Sequence, residues 1–172
     1  HTPERIDGKR TMSYLVLREF EPLVVVHRHA PAYPLGTEAM LGTVDRLLSE
    51  AIEKNRKLAL VYDAENTAPV GRMTRRLLGD WLRDPHGLLA RGATSLDLAH
   101  PSPLVRGLLE TVIWLRRPPV RGRVHARRDE AVESAIASLR SAGLEPPARI
   151  AAEGDAAIAT RIRELLPRPG PR

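Results

Sequence analysis

The sequence predicts an α/β fold: a single mixed sheet that opens with an N-terminal β-hairpin and continues in alternating β/α units, with helices packed on the sheet and an extra C-terminal helix. Three observations predict it. Leu58 to Thr67, LALVYDAENT, is an apolar run that stops abruptly at acid and amide and is followed at once by an amphipathic helix pattern. A strand covered on both faces enters the loop before its next helix in this way, and such loops carry function in open α/β sheets. The 172 residues are 42% hydrophobic but only 3% aromatic. The core must therefore be built from Leu, Val, Ile and Ala, which suits helices on a sheet better than a β-sandwich. Finally, strand-type and helix-type periodicities alternate along the chain.

Met12 to Phe20 and Leu23 to Val26 are two β-type runs separated by Glu21 and Pro22, the pattern of a hairpin with Pro in its turn. Pro31 and Pro34 then mark a loop, and Thr37 with Glu38 opens a helix through about Asn55. Its apolar positions Met40, Val44, Leu47, Leu48, Ala51 and Ile52 recur every three to four residues. Leu58 to Tyr62 reads as the central buried strand. A second helix follows Pro69, which is tolerated in a first turn. Val70, Met73, Leu77, Trp81 and Leu82 form its expected inner stripe, leaving Arg72, Arg75, Arg76 and Arg83 outside. Ala93 to Ala99 is the fourth strand. Ser102 caps a third helix with Pro103 at its first position and Leu104, Leu108, Leu109, Val112 and Leu115 facing inward. A short strand near Arg123 to Ala126 leads to Asp129, expected to cap a helix bearing Val132, Ala135, Ile136 and Leu139. One more helix spans Glu153 to Leu166.

The length suits one domain with appendages: a segment 1–11, an α/β domain 12–144, and a tail 145–172 of linker, helix and frayed end. Zero Cys removes disulfides, thiolate metal sites and thiol nucleophiles together. No apolar run approaches the roughly 20 residues of a membrane span, and HTPERIDGKR lacks the apolar core of a signal peptide. These features fit a cytoplasmic protein, although a chain beginning at His1 leaves targeting undecided. The net charge of +6 is written almost wholly in Arg, with Lys only at Lys9, Lys54 and Lys57. No aromatic RNA-binding signature, zinc spacing or recognition helix accompanies it, so no specific nucleic-acid partner is expected and solubility accounts for most of the charge.

Several residue groups invite chemistry, and each has a plainer reading. Asp63, Glu65 and Asn66 offer hard-cation ligands without the spacing of a calcium loop. His27 and His29 share a strand face, with no third metal ligand and a solvated face expected. Ser102, His100 and Arg106 evoke a nucleophile with helpers, but Pro103 directly after Ser102 removes a backbone N–H needed for an oxyanion hole. Capping is the better account, with Ser102 and Arg106 kept as an anion-binding pair. Arg116, Arg117, Arg121, Arg123, Arg127 and Arg128 form the densest basic stretch. Charge on an edge strand opposes aggregation. The sharper reading is docking of an acidic partner or a phospholipid head group, with Arg72, Arg75 and Arg76 expected near the same end of the sheet.

From about Met12 to Leu144 the chain resembles the STAS domain, the fold of bacterial anti-sigma-factor antagonists, and its SpoIIAA-like relatives with a lipid pocket. The resemblance rests on VYDAENT at 61–67, SPLVRGLLETVIWL at 102–115 and RVHARRDEAVESAI at 123–136. It implies a non-enzymatic signalling module without cofactor, metal or catalytic residue. Such a module binds a regulatory protein through the loop and helix after the central strand, here Asp63, Asn66, Thr67, Arg72, Arg75 and Arg76, and is compatible with a homodimer. The SpoIIAA-like relatives imply an alternative, a small-ligand or lipid-binding domain with an apolar cleft between helices. In the family's phosphorylation switches a Ser or Thr opens the helix after that strand. The slot falls near Gly71 and Arg72, where there is no hydroxyl, and Thr67 lies several residues early.

Overall fold

The computed structural model describes residues 13–64, 70–84 and 87–166. Five strands form one mixed sheet in the order β1-β2-β3-β4-β5. β1 (Tyr14–Leu17) and β2 (Leu23–Arg28) make the expected antiparallel hairpin. β3 (Leu58–Asp63), β4 (Ala93–Ala99) and β5 (Arg121–His125) then add in chain order, each parallel to the one before. β3 is therefore central, and all its side chains but Tyr62 are buried.

Because the parallel order never reverses, right-handed crossovers put the connecting helices on one face. These are α1 (Pro34–Glu53), α2 (Arg72–Arg83), α3 (Leu88–Gly92) and α4 (Pro103–Arg116). Val24, Val26, Leu60 and Leu96 of the sheet share a core with Val44, Leu47 and Leu48 of α1 and Leu89 of α3. The opposite face is covered by α5 (Arg128–Ser141), α6 (Ala148–Glu153) and α7 (Asp155–Leu165). There Leu17, Val25, Ala59 and Val61 pack with Val132, Ala135, Leu139, Ile150 and Ile158.

Several expectations about individual elements are corrected. The first helix begins at Pro34, not Thr37, because a Pro at the first helical position forfeits only an orphan N–H. The last strand is Arg121–His125, and the helix after it starts at Arg128, so Asp129 lies inside the first turn rather than at the cap. Glu130 does the capping work instead, accepting from the backbone N–H of Ala126 and Arg127 at 3.1 and 3.4 Å. The expected single C-terminal helix is two, divided at Gly154, whose φ of 57° lies in the left-handed region that glycine tolerates.

Two helices present faces other than those expected. In α2 the buried residues are Thr74, Gly79 and Leu82, with Leu78 and Trp81 packed on the core, while Met73 is exposed. Trp81 Nε1 donates to Asp45 Oδ1 of α1 at 2.8 Å, which sets the rotation of α2. In α4 no residue is fully buried. Leu109, Val112 and Ile113 pack on the core, and Leu104, Leu108 and Leu115 face outward with Trp114. Gly122 of β5 explains the choice: the Ile113 side chain lies over it, 3.2 Å from where a Cβ would stand.

Asp45 gives a test of the α1–α2 contact. Burial raises its pKa, and the Trp81 hydrogen bond only partly opposes that. A raised folded-state value destabilises the fold above that value, and the effect vanishes as pH falls through it toward the unfolded value. Asp45→Asn keeps an acceptor for Trp81, so near neutral pH it should be stabilising, by no more than about 1 kcal/mol given the group's exposure. The advantage should disappear in thermal melts at acid pH. A clear loss of stability at neutral pH would contradict it.

Candidate functional site

The C-terminal ends of the parallel strands collect most of the buried polar groups. His27, Asp63, Ala99 and His125 stand in register across β2, β3, β4 and β5, on the face covered by α5, since Ala99 belongs to that core. His27 Nδ1 lies 2.7 Å from Asp63 Oδ2, and the carboxylate fixes the proton on Nδ1. Arg128, the first residue of α5, reaches the same oxygen through Nη1 at 3.1 Å. Its other edge forks onto Asp155, the first residue of α7, with Nε to Oδ1 at 2.6 Å and Nη2 to Oδ2 at 3.1 Å. Burial opposes the charge of Arg128, but Asp155 and Asp63 outweigh it and raise its pKa. His27, Asp63, Arg128 and Asp155 thus tie two strands to two helix N-termini.

A second pair lies one strand over, with His125 Nε2 2.8 Å from Asp97 Oδ1. Asp97 Oδ2 and Ser95 Oγ are buried on the same strand without a hydrogen-bond partner among the described residues. His29 stacks beside His27 at 6.4 Å between ring centroids, and its pKa is lowered by burial and then by His27. No group of three His, Cys, Asp or Glu able to hold a metal ion occurs among the described residues.

The strand face of His27, expected to be solvated, is therefore buried, because Asp63 supplies a carboxylate partner that a lone strand pattern does not reveal. Ser102 caps α4 as expected, its Oγ accepting from Val105 N–H at 3.4 Å. Ser102 N–H donates to His100 Nδ1 at 3.1 Å, and Arg106 Nη1 donates to the carbonyls of His100 and Pro101 at 3.2 and 2.6 Å. These contacts hold the β4–α4 loop and already engage the expected anion pair. Asn66 and Thr67 lie outside the described residues. Gly71 is the N-cap of α2 and brings no side-chain cap.

Arg72, Arg75 and Arg76 are exposed on α2. Asp63 is not part of their surface, since its side chain is fully buried on the opposite face of the sheet. The partner-site residues expected together are thus divided between the two sides. What α2 does meet is α4. The Arg116 guanidinium lies over Gly79, 3.3 Å from where a Cβ would stand. Asp80 is shared by Arg76, Arg83 and Arg116 at 3.7 to 4.0 Å. Sequence reasoning missed this surface because it turned the α4 stripe inward. The signal was present in Leu104, Leu108 and Leu115, which recur on one helix face beside Trp114.

The fold and its polar groups define an α/β protein with one mixed sheet, antiparallel only at β1–β2, and a charge network closing the ends of its parallel strands. Comparison with family models, curated proteins and solved structures finds no match to this chain.

Proposed function

We propose that the protein is a non-enzymatic interaction module of STAS-like type that binds an acidic regulatory partner through α2 and the neighbouring α4. One observation carries the reading: α4 buries no residue fully and exposes Leu104 and Trp114 by 75% and 70%, with Leu108 and Leu115 alongside. Exposed apolar area of this kind marks docking sites, and aromatic anchors supply much of their affinity. Arg72, Arg75, Arg76 and Arg116 border it, so the complementary partner is acidic around an apolar centre. The small-ligand or lipid alternative has less support. The cavities of about 640 and 290 Å3 have mixed linings, the first with Lys57, Arg121 and Arg123 and the second with Asp45, Asp80, Asp84 and Arg91 among their apolar residues, unlike an apolar cleft.

The test compares partner capture by wild type, Arg72→Glu with Arg76→Glu, and Leu108→Ser with Trp114→Ser. All three should fold, since these side chains are exposed. Charge reversal should weaken capture about tenfold or more at low salt and narrow the difference at high salt. The apolar pair should abolish capture at either salt. Equal capture by both folded variants would remove this face from the binding surface.

A further inference from the structure

We propose that β5 is a docking edge at which an extended acidic peptide adds to the sheet as a sixth strand. The inference concerns a different element from the α2–α4 face and stands independently of it. β5 ends the sheet, paired with β4 on one side and with no strand on the other among the described residues. The opposite edge, β1, is buried at every residue, whereas Arg121 of β5 is exposed and the rest of the strand is half-buried. An edge in this state presents a row of backbone donors and acceptors.

On the α5 side of β5, and reaching back to the start of β4, opens a groove of about 640 Å3, lined by Arg121 and Arg123 of β5, Thr94 of β4, Lys57, and Ser138 and Ser141 of α5. No Asp or Glu lines it. The strand itself carries Arg121, exposed, and Arg123, which donates through Nη1 to Ser134 Oγ, while the neighbouring Arg116, Arg127 and Arg128 are paired with carboxylates. A second copy of β5 would set guanidinium against guanidinium, which opposes pairing. An acidic strand meets the opposite situation.

The period of a strand specifies the partner further. Arg121, Arg123 and His125 point to the α5 side, while Gly122 and Val124 point to the α4 side, where Ile113 and Val124 belong to an apolar cluster. The added strand should therefore alternate acidic and apolar residues, its carboxylates over the groove and its apolar side chains toward α4. Backbone pairing supplies affinity in such complexes and the alternate side chains supply specificity.

A labelled Glu-Val repeat of about seven residues, a typical strand length, is the probe. Fluorescence anisotropy with the full chain should show saturable binding that weakens about tenfold or more in high salt. Binding should be lost with Arg121→Glu, whose exposed position leaves folding intact by circular dichroism. It should also be lost when alternate peptide amides are N-methylated, and persist in the Arg72→Glu, Arg76→Glu variant, which separates this edge from the helix face. Failure of the repeat to bind overturns the proposal, as does equal binding of the N-methylated peptide. Equal binding of a single-stranded oligonucleotide would mark a general polyanion surface and overturn it. Self-association abolished by Arg121→Glu would assign the edge to a second copy instead.

Discussion

Leu60→Asp should leave the chain without a cooperative native state. Leu60 sits in the central strand, 3% exposed, between Val24 of β2 and Leu96 of β4 in register, and belongs to the core beneath α1. Removing its side chain alone costs roughly 2–5 kcal/mol. An unpaired carboxylate in the same place costs several kcal/mol more or forces protonation. The sum is comparable with the entire net stability of a domain, about 5–15 kcal/mol. Leu60→Val, which keeps an apolar branch, should cost only about 1 kcal/mol and unfold at a slightly lower urea midpoint. Circular dichroism against urea reads both. A Leu60→Asp protein unfolding at the wild-type midpoint would mean that β3 is not central.

The centrality of β3 was legible because a strand buried on both faces has to be apolar along its length, and Leu58 to Val61 is. β4 was legible to the residue, since Gly92 and Pro101 flank the β-type run between the second and third helices expected from the sequence. Helix faces were harder. α4 has apolar residues on every side, so periodicity permits several inner stripes, and the selection of Ile113 depends on a glycine nine residues later in another element. α2 offered Met73 and Thr74 stripes one residue apart, and its rotation follows from the Trp81 bond to α1. The five-residue α3 had too few turns to show a period.

The polar network illustrates a deeper limit. Asp63 drew attention as the acid ending a strand, yet its partners are 36 and 65 residues away. Local sequence carries no record of a pairing that depends on strand register and on the docking of α5. The network also bears on where function lies. Ligands in open α/β sheets favour the crevice where strand order reverses, and here the parallel strands follow one another without reversal. Arg128, Asp63 and Asp155 are spent on one another at the strand ends, which directs attention to the helix face and the β5 edge.

Arg128→Ala should then be among the most destabilising single changes outside the apolar core, by about 3–5 kcal/mol. Asp63 has no solvent exposure at its side chain, and Arg128 has 13%. Deleting the guanidinium leaves Asp63 in the interior with His27 as its remaining partner in this network. It also cuts the link from β3 through α5 to Asp155 of α7, so the helices on that face lose a tie as well as a charge. Asp155→Asn is the informative contrast. Asp155 is 22% exposed, the amide still accepts one hydrogen bond, and Arg128 keeps Asp63. Its cost should stay near 1 kcal/mol, the ordinary net worth of a single hydrogen bond. Urea denaturation of the two variants separates a buried charge from a surface pair. Equal and small losses would mean that solvent, rather than Arg128, neutralises Asp63, and that the ends of the strands are open to a ligand after all.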